Sequence, residues 1–293
     1  MTEPTVDWVH FKGNEGCRYS GKHKYLPSKP WGKWEKILGV VARCEGGHDT
    51  FFNADGTGGS WGFQQWTFTS GRLQNLLNSF KAIILENKKS LFDECFGTNG
   101  AEFVKFGFNI QNGQFLDCHT GKVVIPNSVP EKQHISDLCM GKLGHEGYKT
   151  PKDFAIALAK LFIKAGERED VAKAQIDFAI KEFEQALKPK RSPLGDVETL
   201  DKLLAGTWET CIPGLFFNLW QNSPGAAYKL FIPSYKFAKG GSKKYLDDVW
   251  LRLNKSQFAN WSFAKPENTS PRIVRIKNAI REFYDLDLPI VRK

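Results

Sequence analysis

The chain has 293 residues, enough for one large domain or two small ones and enough to bury an extensive core without disulfides or metals. Its formal net charge is +9, with basic residues dispersed along the sequence, which favours a polyanionic target such as nucleic acid, an acidic membrane or the bacterial wall. The six cysteines show no CxxC spacing, which argues against a zinc or redox site, and their even count fits either disulfides or free buried thiols.

The N-terminal residues 1–30 are polar and contain Pro and Gly, so we predict an arm there. Residues 1–11 lack the basic-then-apolar pattern of a signal peptide, and no stretch has the ~18 apolar residues of a membrane span. We therefore expect a protein made in the cytoplasm, without a membrane span, that reaches an outside target by lysis or a specialised secretion route.

From Pro30 onward the pattern becomes helical. Apolar residues recur at three- and four-residue steps up to Ala42, and the helix is predicted to end at Glu45, before Gly46 and Gly47. Residues 50–66 are typical of short strands joined by glycine turns, and Thr67–Lys88 is predicted to be a second helix.

The rest of the chain is predicted to contain a hairpin and then, from Thr150 onward, mainly helices. Phe108–Ile125 alternates and carries Asn112-Gly113, the strongest short signal for a β-hairpin. Helices follow at Asp153–Ala165, Asp170–Leu187, Val197–Cys211, Leu215–Leu230, Lys244–Leu253 and Pro271–Phe283. The fold class is therefore α+β, mainly α, with one domain over 31–293 and a possible insertion at 90–147.

The glycine-rich segment from Cys44 to Trp66 carries the candidate chemistry. Glu45 ends a helix between apolar residues and glycine, and a partly buried carboxyl group is suited to general acid catalysis. Asp55 and Ser60 follow in a glycine turn that can fold back toward the helix end. Two carboxylates and a hydroxyl around a cleft fit glycoside hydrolysis, with one acid protonating the leaving oxygen and the other group activating water.

Other interpretations of this segment remain open. Asp49 is an alternative second carboxylate, and a polar hairpin turn beside a solvated helix end explains the same residues. The segment lacks the Lys-Ser/Thr of a P-loop, and Asp49 and Asp55 lack the spacing of a calcium loop. Cys44 has no Cys–His context, so a buried structural thiol is favoured over a nucleophile.

The segment resembles the active site of the lysozyme superfamily. Phage-type lysozymes have a helix that ends at Glu-Gly, then an Asp, then a Thr in a Gly-rich hairpin, and here Glu45-Gly46, Asp55 and Ser60-Trp61-Gly62 are similar. The related chitosanases have a turn similar to Asp55–Gly62, followed by a helix start similar to Ser70–Leu73. This resemblance implies a lysozyme-like fold, a small hairpin region beside a larger helical lobe. It also implies three catalytic residues: Glu45 as the general acid, Asp55 as the base that polarises water, and Ser60 as the hydroxyl that holds that water.

Two later segments extend the resemblance. Phe217–Gln221, followed by Pro224-Gly225, is similar to the lysozyme helix whose Asn and Gln lie near the sugar, which implies substrate binding by Asn218 and Gln221. Ser270-Pro271-Arg272 resembles the start of the C-terminal helix whose Arg orients the catalytic Glu, which implies that role for Arg272.

The sequence also departs from the lysozyme pattern. Ser60 replaces the usual Thr, and Phe92–Gly147 has no recognised counterpart. Gly62–Gln65 is similar to lytic transglycosylases, in which a Glu acts without a second carboxylate. Trp61, Gln64 and Gln65 are the further candidates for substrate binding, with Trp61 stacking on a sugar or packing in the core.

These observations favour a muramidase that cuts the glycan of bacterial peptidoglycan, without cofactor or metal, as a phage lysis enzyme or a delivered toxin. We expect no nucleic-acid partner and no membrane span. The sequence does not identify a delivery or immunity partner. A chitosanase is an alternative, but polycationic chitosan is repelled by a net charge of +9. A lytic transglycosylase and a non-catalytic module that binds a polyanion or the cell wall are the others.

Overall fold

The computed structural model describes residues 4–11, 13–22, 31–126, 128–187, 203–238, 241–256 and 271–289. The chain divides into two compact units. Unit 1 comprises Met1–Pro27 and Gly46–Phe178, and unit 2 comprises Ser28–Glu45 and Ala179–Lys293. The single domain predicted over 31–293, with an insertion at 90–147, stays a prediction.

Unit 1 contains a five-stranded antiparallel sheet in which the strands follow their order in the chain. The strands are β1 (Asp7–Phe11), β2 (Asn14–Tyr19), β3 (Phe51–Phe52), β4 (Ser60–Trp61) and β5 (Trp66–Thr67). The prediction of an irregular arm is wrong for residues 7–19, because β1 and β2 form a hairpin and β2 continues the sheet through the pairing of Tyr19 with Phe51.

A second sheet in unit 1 confirms the hairpin predicted from Asn112-Gly113. It consists of β6 (Phe108–Gln111), β7 (Gln114–Asp117) and β8 (Lys122–Val124), all antiparallel. Asn112 and Gly113 have φ of 49° and 73°, as a tight two-residue turn between twisted strands requires.

Unit 1 contains several helices, three of which begin at a capping hydroxyl. The helices are α2 (Arg72–Phe80), α3 (Leu91–Phe96), α4 (Ala101–Val104), α5 (Val129–Cys139), α6 (Pro151–Gly166) and the first part of α7 (Glu169–Leu187). The hydroxyls of Ser90, Ser128 and Thr150 accept backbone N–H groups at the starts of α3, α5 and α6. The helix predicted over Thr67–Lys88 is shorter than expected, since the chain turns after α2 and an isolated bridge joins Ile84 to Ser90.

The core of unit 1 is aromatic and is centred on Phe162 of α6. Its ring contacts those of Phe51, Trp61, Phe68, Phe96 and Phe103. All of these rings are fully buried. These contacts join helix α6 to strands β3 and β4 and to the short helices α3 and α4.

The described part of unit 2 consists of helices, turns and loops. It contains α1 (Trp34–Glu45), the end of α7, α8 (Ile212–Trp220), α9 (Pro224–Ala238), α10 (Ser242–Lys255) and α11 (Pro271–Tyr284). The predicted helix Leu215–Leu230 is two helices, because the chain turns at residues 221–223 and Pro224 starts α9. Of the predicted helix Val197–Cys211, residues 197–202 lie outside the described residues.

Helix α1 packs closely against α8 and α11, and two glycines allow this approach. A Cβ on Gly39 would overlap the ring of Phe283 in α11, and one on Gly214 of α8 would lie 3.3 Å from Val40. The α1 residues Ile37, Val40 and Val41 are fully buried. This packing fixes the C-terminal end of α1, where Glu45 lies.

The α+β, mainly helical class is confirmed, with a small antiparallel sheet near the N-terminus. The lysozyme-like arrangement stays a prediction. Among the described residues, no helix is both long and apolar enough to cross a membrane.

Candidate active site

Glu45 is the last residue of α1, as predicted. Its side chain is 13% exposed, so the carboxylate is largely withdrawn from solvent but still accessible. Gly46 follows with φ of 150°, a backbone angle that other residues rarely adopt, and it ends the helix.

Two donors converge on one oxygen of this carboxylate within unit 2. Arg272 Nη2, in the first turn of α11, donates to Glu45 Oε1 at 2.8 Å, and Asn222 Nδ2, just after α8, donates to the same atom at 3.0 Å. No hydrogen bond to Oε2 is formed by the residues that the structure describes. The carboxyl group is thus oriented through Oε1, and Oε2 is left for another ligand.

The Arg272–Glu45 contact joins residues that are 227 positions apart and that the resemblance paired. The side chain of Arg272 is 7% exposed, so both partners are shielded from water. An ion pair in such surroundings is stronger than one at the surface, and it is costly to break because one charge is then left buried.

Cys44, next to Glu45, is not a nucleophile. Burial, reinforced by the neighbouring Glu45 carboxylate, raises the pKa of its thiol to about 12. The thiol therefore stays protonated at neutral pH, and only the thiolate is reactive.

Asn222 is a site residue that the sequence analysis missed. It lies four positions after Asn218, so one helical turn separates the two side chains, and its Nδ2 also donates to the Asn218 carbonyl at 3.2 Å. Asn218 itself is fully buried, and neither atom of its carboxamide has a hydrogen-bond partner among the described residues. Gln221 is buried at the end of α8. The residue of this row that reaches Glu45 is Asn222, and the substrate-binding role predicted for Asn218 and Gln221 stays a prediction.

In unit 1, Asp55, Thr57 and Ser60 form one hydrogen-bonded group in the glycine turn. Thr57 donates to Asp55 Oδ1 through both its hydroxyl (2.6 Å) and its backbone N–H (3.1 Å), and its hydroxyl lies 3.2 Å from that of Ser60. Gly56, at φ of 75°, makes the turn. Ser60 is 2% exposed while Thr57 is half-buried, so Thr57 is the more accessible hydroxyl and a second residue that the sequence analysis missed.

The substrate-binding candidates around β4 and β5 have internal partners. Trp61 is fully buried, with its ring centre 5.2 Å from that of Phe162. A ring with no exposed surface cannot stack on a sugar, so that role is wrong for Trp61. Gln64 is buried and accepts from Arg72 Nη2 at 2.9 Å, whereas half-buried Gln65 bonds the Gly62 carbonyl at 2.8 Å.

Asp49, the alternative second carboxylate, has a structural position. It is fully buried and accepts the backbone N–H of Lys22 at 3.0 Å. Its neighbour Thr50 bonds the Gly47 N–H and the Ser20 carbonyl, which ties the segment after Glu45 to the end of β2. A buried carboxylate engaged in this way is not available to activate water.

Unit 2 supplies an oriented carboxyl group, and unit 1, described by itself, supplies a carboxylate with two hydroxyls. Within the described residues, no group of three or more His, Cys, Asp or Glu is placed to hold a metal ion. Comparison of the chain with protein-family models, with curated proteins and with solved structures gives no match.

Proposed function

We propose that this protein is a glycoside hydrolase that cleaves the glycan strand of bacterial peptidoglycan, with Glu45 as the general acid. The observation that carries the proposal is the pair of donors on Glu45 Oε1, from Arg272 at 2.8 Å and Asn222 at 3.0 Å. They hold a largely buried carboxyl group in one orientation, and positioning of this kind is a requirement of acid catalysis.

In the proposed reaction, Glu45 gives its proton from Oε2 to the glycosidic oxygen as the bond to the sugar carbon breaks. Negative charge then develops on the carboxylate. The guanidinium of Arg272 and the amide of Asn222 hold the carboxyl group in place and stabilise the carboxylate that remains after proton transfer. Arg272 and Asn222 therefore act as positioning residues.

Asp55 keeps the role predicted from the sequence, which is to polarise the attacking water. Its Oδ1 accepts from the hydroxyl and the backbone N–H of Thr57, and these two contacts fix the orientation of the carboxylate. We assign to Thr57 the water-holding role predicted for Ser60, since Ser60 is nearly inaccessible.

Peptidoglycan is preferred to chitosan because of charge. Chitosan is polycationic, and a protein with a net charge of +9 repels it, whereas bacterial walls carry anionic polymers. The net positive charge therefore supports the wall as the target.

The test compares wild type with Glu45→Gln and with Glu35→Gln, an exposed carboxylate at the start of the same helix. Each protein is incubated with purified peptidoglycan and with chitosan, and the fragments are analysed by mass spectrometry. Removing one catalytic proton donor typically costs about 10²–10⁴-fold in rate. We expect that loss for Glu45→Gln and near wild-type activity for Glu35→Gln.

The products separate the alternatives. New reducing ends from peptidoglycan support the proposal, and anhydro-sugar ends replace it with transglycosylase chemistry. Fragments from chitosan alone reassign the substrate. No fragments from either polymer refute the enzyme and leave the binding module. Full activity of Glu45→Gln refutes the acid assignment.

A further inference from the structure

The positive charge of the chain is not shared between the two units. Unit 2 contains 23 Lys and Arg against 14 Asp and Glu, a net charge of +9, whereas unit 1 contains 18 of each and is neutral. The whole excess of the protein therefore belongs to unit 2. A field of this kind attracts polyanions to the unit that carries it.

Within unit 2, basic residues gather where α9 ends and α10 begins. The stretch 236–244 holds four lysines and no acidic residue. We use the term basic corner for Lys236, Phe237, Lys243 and Lys244, which are all exposed. The Gly241 N–H donates to the Ala238 carbonyl at 3.1 Å, and Lys244 Nζ lies 4.8 Å from the centre of the Phe237 ring.

The basic corner is built on a packed base. Tyr245 is 3% exposed, and its ring contacts those of Phe231 and Tyr235 in α9. The two helix ends are therefore held together beneath the lysines. Side chains on a rigid base lose less conformational freedom on binding than side chains on a loose loop.

The charges of the corner are not neutralised by the described residues around them. Lys236, Lys243 and Lys244 form no ion pair with any described acidic side chain, and Asp247, one turn further along α10, pairs with neither of the last two. Asp248 is bound to Arg252 at 2.6 Å. By contrast, Lys105 and Lys173 of unit 1 pair with Glu102 and Glu169.

We propose that the basic corner is a docking surface for a flexible, phosphodiester-linked polyanion of the bacterial wall, a polyol phosphate. Lysine ammonium groups on long, mobile side chains suit phosphates that are separated by flexible linkers, because they act as point charges and need no fixed fork geometry. The assignment to a wall polymer, among phosphate polyanions, rests on the proposed function, whereas the surface itself does not.

The composition of the corner disfavours two other partners. Single-stranded nucleic acid is bound through successive aromatic rings on which bases stack, and here one exposed ring, Phe237 at 53%, accompanies the lysines. A helix that lies in a membrane surface needs a broad apolar face that is exposed. The apolar faces of α9 and α10 are instead buried within the unit.

The experiment measures binding of the full-length protein to soluble poly(glycerol phosphate) at 50 and 200 mM salt by fluorescence anisotropy. The test variant is Lys243→Gln/Lys244→Gln. The control is Lys122→Gln/Lys132→Gln, which removes the same charge from exposed lysines of unit 1. A lysine at a polyanionic surface contributes about fivefold in affinity, so we expect about a 25-fold loss for the test variant and less than a twofold change for the control.

The salt dependence provides a second readout. The slope of log affinity against log salt is expected to become shallower by about 1.4 in the test variant, at about 0.7 for each phosphate that a lysine no longer neutralises. Equal losses in both variants would mean that net charge alone drives binding, and would overturn the proposal. So would unchanged binding of the test variant.

Two further probes test the choice of partner. Tighter binding of anionic phospholipid vesicles, or of oligodeoxyadenylate, through the same two lysines would replace the wall polymer by a membrane or a nucleic acid. Glu45→Gln is expected to bind the polymer as wild type does. If the polymer binds through these lysines but no glycan is cleaved, the docking surface is retained and the proposed enzyme fails. If glycan is cleaved but the polymer does not bind through these lysines, the proposed enzyme is retained and the docking surface fails.

Discussion

The Glu45–Arg272 ion pair is expected to be strongly coupled, and a double-mutant cycle measures the coupling. The variants are Glu45→Gln, Arg272→Gln and the double substitution. In Arg272→Gln, a carboxylate that is only 13% exposed loses its counter-charge. Breaking a buried pair in this way costs about 3–5 kcal/mol, and we expect the lower end, about 3 kcal/mol, because Asn222 still donates to Oε1.

Glu45→Gln is expected to cost less, about 2 kcal/mol, since the amide oxygen still accepts both N–H donors while Arg272 loses its counter-charge. The double variant keeps a neutral amide pair at the same place. Its free energy of unfolding is expected to lie about 2 kcal/mol below wild type, which gives a coupling of about 3 kcal/mol for the charge pair.

The structure supplies a matched control on the same two helices. Arg43 of α1 and Glu282 of α11 also form an ion pair, at 2.9 Å, but their side chains are 46% and 47% exposed. Exposed pairs contribute about 0.2–1 kcal/mol and are weakened by salt. Urea unfolding followed by circular dichroism, at low and high salt, would give both couplings. The reasoning is refuted if the Glu45–Arg272 coupling is no larger than that of Arg43–Glu282.

Three further predictions concern other residues. Asn218→Leu is expected to raise the free energy of unfolding by about 1 kcal/mol, because it removes a fully buried carboxamide without partners among the described residues; a comparable loss of stability in urea would show that the amide is satisfied. Gly39→Ala favours an isolated helix by about 1 kcal/mol, yet here the new methyl overlaps Phe283, so we expect a net loss of about 1–3 kcal/mol, and a gain would contradict the α1–α11 packing. Burial raises the pKa values of Cys17, Cys44 and Cys211 to about 12, so the unfolded chain loses these thiol protons at a lower pH than the folded protein does. The contribution of the protonated thiols to stability is therefore complete below about pH 9 and is lost as the pH rises toward 12. In native protein at pH 8, peptide mapping after iodoacetamide treatment should find exposed Cys118 labelled first, and early labelling of Cys44 would contradict its burial.

Elements stabilised by their own local sequence were predictable. The end of α1 at Glu45, the Asn112-Gly113 hairpin and helix α6 follow from periodicity, turn chemistry and caps that act within a few residues. Strands β1 and β2 were missed because this hairpin is partly exposed and reads as polar, and because β2 pairs with β3 more than 30 positions away. A local pattern does not carry that information.

The same limit applies to the candidate site. Whether Trp61 packs in the core or stacks on a sugar depends on Phe162, which lies 101 positions further along the chain, so aromatic composition could not decide it. The pairing of Arg272 with Glu45 came from the resemblance and not from periodicity, since many basic residues lie on amphipathic helices. Asn222 could have been identified from the sequence, because it lies one helical turn beyond Asn218 in the predicted helix Leu215–Leu230.

The difference in net charge between the two units is not evident from the order of residues along the chain. Along the sequence the basic residues look dispersed, because unit 2 is assembled from two segments with 133 residues of unit 1 between them. Once the residues are sorted by unit, the dispersed charge becomes a neutral unit and a unit of net charge +9 that also carries Glu45. A polyanionic target would thus be attracted by the same unit that holds the proposed acid, so we expect salt to weaken association with the wall without altering the geometry at Glu45. Raising the salt concentration should therefore increase KM on intact walls while leaving kcat unchanged, and a fall in kcat alone would argue against this separation of docking from chemistry.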